Sequence, residues 1–525
     1  MNRRSPAHRA IIARWGELLR QCFRPTMTHQ DTNDTFESLD LPSMTPGSLV
    51  RKFGPGMMLM MTGIGTSHLV TAPVAGGRYG YALLWCLPIA YIFKYYGFEM
   101  AIRFTHATGR SMLDAYATAW KKFPVWYVLI TTIIQSAVGQ AGRLIAAAAV
   151  MFYFFRMFLG LDIPGVDDDK ELAVYGFILG VTSVAIILRG RYAVVELATK
   201  IAAGILIVCT FAVYVVQPAP VSEFVHFLRL DAPEGSWLII ASFLGLLPTG
   251  IDVSLQASEW GKAKKVGMGR LRGPMEEQGL AKSFDAFNAK KSDLTVERSQ
   301  LPEHAQEYCR RWFKIGLLDF RLGHVISFLL ASIFLLLAAV WLYPSEVRGN
   351  AVMGEIARIF TDSVGPHLMI IFLAGALAAT FSTAFNYFDG WPRVVGACCR
   401  NLFRSTASLA RTSREELSAE QRKTWYSEYN IYRATMFFSL ITSVAIIAGV
   451  PRPVYLVLLA SALAYFVAPV IFFLNLYYCL TIIHKDDKVF YPSTFATWFG
   501  WLSLAVFTGM SLILIMQRLF GITLF

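Results

Sequence analysis

Charge is scarce in this chain. Of its 525 residues only 16% are Asp, Glu, Lys or Arg, against roughly a quarter in soluble globular proteins. That shortage, with 55% hydrophobic residues and a mean hydropathy of +0.47, excludes a soluble domain over most of the length and indicates a polytopic helical membrane protein. Ten-residue stretches of alternating polarity are missing, which excludes a transmembrane barrel. Cysteine is sparse as well. Seven occur, none in a CxxC pair, so neither a disulfide framework nor a thiolate metal site is expected. No nucleophile–base pair or metal-ligand cluster is present, and an enzyme is not expected. Gly267-Met268-Gly269 is not a phosphate loop, because no strand precedes it. Residues 1–50 lack a long apolar core, so a cleaved signal peptide is not expected. Their Arg-rich start, Met1 to Arg24, is read as a membrane-proximal cytoplasmic tail in preference to a transit peptide.

What the chain does have is apolar runs. Eleven are long enough, at about 20 residues, to cross a ~30 Å hydrocarbon core. They fall near 54–76, 80–103, 124–152, 172–189, 194–216, 236–261, 319–343, 367–389, 432–449, 452–482 and 493–521. The net charge of +12 sits in alternate loops and is read as an orientation signal, not as a nucleic-acid surface. Lys121-Lys122, Arg189/Arg191, Lys262 to Lys314, Arg393 to Lys423 and Lys485/Lys488 follow the even spans. Asp167-Asp168-Asp169, Asp231/Glu234 and Glu346 follow the odd ones. The N-terminus is therefore expected in the cytoplasm and the C-terminus outside. Two cytoplasmic insertions, 263–315 and 400–430, read as solvated linkers, the first with a helix-like Glu276 to Asn288.

Glycine breaks two of these runs at corresponding places. Gly63-Ile64-Gly65-Thr66-Ser67-His68 interrupts the first span and Leu247-Pro248-Thr249-Gly250-Ile251-Asp252 the sixth. A broken helix at mid-depth leaves backbone groups that hydrocarbon tolerates only beside a cavity or ligand. A matched pair of breaks points to a transporter's substrate site. The expected organisation is a tail (1–50), a first repeat of spans 1–5 (51–217), and an inverted second repeat of spans 6–10 (235–262 and 316–482). The 263–315 insertion interrupts the second repeat, and an eleventh span (493–521) follows it.

Gly54-Pro55-Gly56, then Ala75-Gly76-Gly77-Arg78-Tyr79-Gly80-Tyr81-Ala82-Leu83-Leu84-Trp85, resembles the opening of the NRAMP divalent-metal transporters. Ala107-Thr108-Gly109, Glu196 and Asp319 also fit, and the resemblance spans roughly residues 50–480. It implies an all-α integral membrane protein of the LeuT type: two inverted five-helix repeats plus an eleventh span. It also implies alternating-access transport of a divalent cation in a bilayer, expected to be a bacterial inner membrane. The ion is then a substrate, with no cofactor and no nucleic-acid partner expected. The departures bear on the ion. The family's Asp-Pro-Gly-Asn metal motif falls on Gly65-Thr66-Ser67-His68, and its Met-Pro-His-Asn motif on Leu247-Pro248-Thr249-Gly250. Carboxylate, amide and thioether are all replaced. The chain is similar to a divergent branch whose members include magnesium transporters.

The candidate ion-binding residues are Gly65, Thr66, Ser67, His68, Leu247, Thr249, Gly250 and Asp252. His68 and Asp252 are the candidate metal ligands. His68 offers an imidazole to a cation, or is a core histidine bonded to a neighbouring carbonyl. Asp252 either supplies the charge missing from span 1 or stabilises the dipole of the half-helix it opens. Hydroxyls of Thr66, Ser67 and Thr249, and the carbonyls of Gly65 and Leu247, suit hard cations such as Mg²⁺, although hydroxyls also bond back onto their own helix. Leu247, in place of a thioether, disfavours soft metals. Gln140 and Arg143, where the family has acids, are candidate pathway or gating residues, and an Arg cannot cycle a proton. Lys94, Glu99 and Lys200 are further polar groups in or near spans. Two alternatives stay open: a carrier of a small, amino-acid-like solute, and a non-transporting membrane sensor. Nothing in the sequence speaks to oligomeric state.

Overall fold

The computed structural model describes residues 36, 38–161, 163–189, 192–216, 218–344, 366–410 and 424–520. Most of the tail, Arg191, Glu346 and residues 411–423 lie outside them. No strand occurs among the described residues.

The apolar runs become helices. Span 1 is α1 (Pro55–Gly63), a π-helical stretch (Ile64–Thr71) and α2 (Ala72–Tyr79). Span 2 is α3 (Cys86–Thr108), followed by the short α4 (Met112–Tyr116). Span 3 is α5 (Phe123–Ile134) and α6 (Gln140–Tyr153), again joined by a π-helical turn, Gln135–Gly139. Spans 4 and 5 are α7 (Asp168–Arg189) and α8 (Tyr192–Val216). Span 6 is α9 (Trp237–Leu246) and α10 (Val253–Lys264). After α11 (Met268–Glu277) come α12 (Glu303–Trp341), α13 (Pro366–Leu402) and the short α14 (Arg404–Ala410). Spans 9 to 11 are α15 (Glu428–Gly449), α16 (Pro453–Ile482) and α17 (Thr494–Phe520). By length and composition alone, six helices among the described residues can cross a membrane. The apolar part of α8, Ala203–Val216, and the half-helix α9 are shorter. Span 6 falls short because it is two half-helices.

The packing is paired as an exchange of two repeats requires. Span 1 lies along span 7, as α1 and α2 against α12, and span 6 lies along span 2, as α9 and α10 against α3. Span 3 packs on span 10 (α6 on α16) and span 8 on span 5 (α13 on α8). Spans 1 and 6 also touch each other directly, α10 against α1.

Two expectations are corrected here. The first span is not unwound at Gly63–His68. It widens into π-helix, which keeps the backbone paired i to i+5 with one extra residue per turn. Its glycines serve close approach. A Cβ on Gly63 would overlap the Pro248 carbonyl, and one on Gly65 would overlap Thr383 of α13. The 263–315 insertion is likewise not a solvated linker. Met268, Leu271 and Met275 of α11 are buried with Tyr308, Phe313 and Leu317 of α12. Met100, Cys479 and Phe490 complete this second apolar cluster. Tertiary burial of those three α11 side chains overrides the low helix propensity of Gly269 and Gly273, so the helix starts at Met268 and ends at Glu277, early in the expected Glu276 to Asn288.

Asp319 joins the two repeats at one end. Its carboxylate accepts from the amides of Gly54, Gly56 and Met57 at 2.8, 2.9 and 2.9 Å. Those are the otherwise unpaired amides at the start of α1, where a negative charge is favoured by the helix dipole.

Candidate functional site

The sixth span does break. Residues 247–252 between α9 and α10 are non-helical, so the last carbonyls of α9 have no helical donors. One of them, at Gly245, and two carbonyls of the break itself are taken by one side chain. The Lys94 ammonium, fully buried in α3, donates to the carbonyls of Gly245, Leu247 and Thr249 at 2.8, 2.7 and 2.9 Å. The Leu247 carbonyl, read from sequence as an oxygen open to a hard cation, is therefore already occupied by a cation of the chain. The Leu247 side chain itself is buried in the apolar core.

Next to this cradle runs a chain of hydroxyls. Thr62 and Thr249 lie 3.2 Å apart across the two spans, and Thr249 lies 3.1 Å from the Tyr387 hydroxyl of α13. Tyr387 in turn carries the Arg143 guanidinium over its ring, 3.7 Å from the centroid, with the Trp391 ring 4.9 Å away. Arg143 also donates to the Gly139 carbonyl at 2.6 Å. That carbonyl belongs to the π-helical turn of span 3. A point one Cβ out from Gly139 lies 2.5 Å from Gln135 Oε1, 2.8 Å from Arg143 Nη1 and 2.9 Å from the Trp391 ring. Gln140 donates to the Ala384 carbonyl at 3.0 Å, which ties α6 to α13.

Asp252 precedes the first turn of α10. Both Arg143 and Lys94 attract its carboxylate. Its Oδ1 has no hydrogen-bond partner among the described residues, and neither have the Oε1 atoms of Gln135 and Gln140 or Arg143 Nε. A Cβ on Gly250 would overlap Asp252 Oδ1, so glycine leaves that oxygen room. Unpaired buried polar atoms are costly. Here they lie on spans 3 and 6, whose pathway residues the sequence had marked.

His68 points elsewhere. Nε2 lies 2.9 Å from the Tyr91 hydroxyl, and 3.0 Å from both the carbonyl and the hydroxyl oxygen of Ser327 in α12. Nδ1 lies 3.2 Å from the Gly63 carbonyl. Nε2 is engaged toward spans 2 and 7 and Nδ1 by span 1 itself, whereas Asp252 faces the cations of spans 2 and 3. Gly65 donates its amide to Thr383 Oγ1 at 3.0 Å. The side chains of Thr66 and Ser67 lie outside the described residues. Among the described residues no three His, Cys, Asp or Glu side chains converge in metal-holding geometry.

At one end of the bundle charges form a separate knot. Asp114 of α4 accepts from Arg400 at 3.1 Å, Lys262 at 3.3 Å and Asn401 at 3.2 Å. Arg400 continues to Glu428 of α15 at 2.6 Å and to Glu259 of α10 at 3.8 Å. Burial alone would raise the Asp114 carboxyl, but Lys262, Arg400 and Arg110 together hold it well below the usual carboxylate range. Asp389 of α13 is also fully buried. It accepts from Trp260 at 2.9 Å, Arg393 at 2.6 Å and Tyr432 at 2.6 Å.

Residues 56–258 match the model of the family described as natural resistance-associated macrophage protein-like. That stretch is Nramp-like. Over 344 residues, 65% of its length, the chain is 20% identical to an uncharacterized protein of Pasteurella multocida (strain Pm70), covering 68% of that protein. Its fold is similar to that of a mutant of the Eremococcus coleocola manganese transporter, with a TM-score of 0.58 and 10% identity, covering 92% of this chain and 90% of that one. It is also similar to Mhp1, a nucleobase-cation-symport-1 family transporter solved closed around bromovinylhydantoin, with a TM-score of 0.50 and 14% identity, covering 89% and 87%. The all-α, LeuT-type fold expected from the sequence is the fold of this chain.

Sequence reasoning named Lys94 only among several polar groups and gave no aromatic residue a place in the site. A lysine in the middle of a span is the signal that would have singled it out. Nothing in the one-dimensional pattern aims Tyr387 and Trp391 at Arg143.

Proposed function

We propose that this Nramp-like protein is a secondary transporter that moves a divalent metal cation by alternating access, without a resident cofactor. The substrate class rests on the family likeness and on the manganese transporter whose fold it shares. The ion we propose is a hard one such as Mg²⁺, keeping part of its hydration shell. The observation that carries this reading is the Asp252 carboxylate, with a buried oxygen lacking a hydrogen-bond partner among the described residues, at the break of span 6. Beside it the available groups are hydroxyls and amides: Thr249, Thr62, Tyr387 and Gln140. Oxygen ligands suit Mg²⁺, which sheds water reluctantly and needs only one or two carboxylates. Thioether and thiolate are lacking, which disfavours Cd²⁺; the preference for Mg²⁺ over Mn²⁺ rests on the hydration shell that Mg²⁺ keeps.

One observation favours a second reading. Two buried cations, Lys94 and Arg143, act on the single carboxylate of the site. A net positive centre suits a carboxylate-bearing solute, as the alternative of a small organic-solute carrier requires. Thermal unfolding of the purified protein separates the two. A ligand at about 100 times its Kd adds roughly 2.7 kcal/mol to the folded state. Mg²⁺ is expected to raise the melting temperature, more than Mn²⁺ at equal concentration, and amino acids or carboxylates are expected to leave it unchanged. The reverse order selects the second reading.

A further inference from the structure

We infer that the break of span 6 is a monovalent-cation cradle, of the primary-ammonium class, whose cation is the chain's own Lys94. Three carbonyls converge on one Nζ at 2.7, 2.8 and 2.9 Å, and an ammonium has three donors, one for each. A neutral amine has only two N–H groups and would turn its lone pair toward the third carbonyl, so the geometry calls for the charged form. Lys94 is fully buried. The Phe507 ring of α17 lies 5.6 Å from Nζ, within cation–π reach. A ring of backbone carbonyls at such distances takes the place of an ion's hydration shell. The cradle combines the Gly245 carbonyl at the α9 C-terminus, where the helix dipole favours a cation, with the Leu247 and Thr249 carbonyls of the break. Its occupant is tethered and cannot be carried across.

The consequence deepens the transport reading and rests on it. With the cradle filled by a fixed charge, the cycle has no use for Na⁺ or K⁺ at the span 6 break, and the two half-helices are held together without a co-ion. The transported ion is left the Asp252 carboxylate and the Thr249 hydroxyl, neither of which Lys94 uses in the cradle. Deleting the side chain converts a tethered cation into an empty site of known chemistry.

The test is amine rescue, read by thermal unfolding of purified Lys94→Ala at constant ionic strength. The variant is expected to melt lower than wild type and to regain about half or more of that loss in millimolar methylammonium. Tetramethylammonium, which has no N–H, should have no effect, and wild type should respond to neither. A folded Lys94→Ala that methylammonium does not stabilise better than tetramethylammonium overturns the inference. Wild type supplies a second arm that needs no variant. Its melting temperature is expected to be the same in NaCl, KCl and choline chloride, and a rise of several degrees in NaCl or KCl overturns the inference. Mg²⁺ is absent throughout, so failure here is distinct from failure of the divalent-ion reading.

Discussion

Gly63 is a residue whose side chain would collide with another strand of the fold. A Cβ there would overlap the Pro248 carbonyl of the span 6 break, and backbone cannot swing aside as a side-chain tip does. Overpacking of this kind costs typically about 1–3 kcal/mol. Gly63→Ala is expected to lower the melting temperature and to abolish transport, by separating spans 1 and 6. A variant with wild-type stability and uptake would show that Gly63 does not pack on the break of span 6. Arg143 makes a different demand. Its planar guanidinium lies over Tyr387 and beside Trp391, an arrangement a lysine ammonium does not reproduce. Desolvated cation–π contacts are worth up to about 2 kcal/mol. Arg143→Lys should therefore destabilise although the charge is kept, and Tyr387→Phe, which keeps the ring, should not match that loss. Equal melting temperatures for wild type and Arg143→Lys would reduce Arg143 to a simple point charge.

Among the elements, apolar runs of the right length announced the helices, because a spanning segment must satisfy its backbone internally. The tertiary partners were not legible. Gly63 and Gly65 read as a helix breaker, yet their reason is close approach to Pro248 and Thr383, and π-helical widening accommodates it without unpaired backbone. Pro248 removes an amide, which no widening restores, so the sixth span broke where the pattern said it would. Of the site residues, Thr249, Asp252, Gln140 and Arg143 fall around the break and the π-helical turn facing it. His68 turns away because Tyr91 and Ser327 are there to receive it, which no spacing along the chain reveals. The knot of Asp114, Lys262, Arg400 and Glu428 ties α4, α10, α13 and α15. Removing one partner of a buried ion pair costs about 3–5 kcal/mol, and Asp114→Asn should lose toward the low end, since Arg400 keeps Glu428. The pH dependence follows from the sign. The folded-state value of Asp114 lies below the ordinary ~3.9, so its contribution is complete above that value and fades only as pH falls through the folded one. Thermal unfolding of wild type and Asp114→Asn should show a constant gap from pH 8 to pH 5, closing only in stronger acid. A gap that closes by pH 6 would contradict the assignment of those cations to Asp114.

At the scale of the whole molecule, two repeats that exchange spans 1 and 7 for spans 6 and 2 meet at a centre carrying one carboxylate, two fixed cations and a chain of hydroxyls. We propose the orientation from the lysines and arginines of the alternate loops. Cysteine introduced at the exposed Gly165, between α6 and α7, should react with an impermeant maleimide from outside intact cells. Cysteine at the exposed Ser292 should react only after permeabilisation. Labelling of Ser292→Cys in intact cells would invert the topology. The lack of an acid in span 3 bears on the driving force: neither Gln140 nor Arg143 cycles a proton, so uptake should proceed with little accompanying acidification. The most direct measurement of the central claim is divalent-ion uptake into proteoliposomes of wild type and Asp252→Asn. Wild type is expected to accumulate Mg²⁺ down its gradient, with Mn²⁺ and Cd²⁺ competing poorly, and Asp252→Asn to need at least about tenfold more Mg²⁺ for half-maximal uptake, the factor worth 1.4 kcal/mol. Mg²⁺ uptake unchanged in Asp252→Asn, or no divalent-ion uptake by a folded wild-type protein, would contradict it.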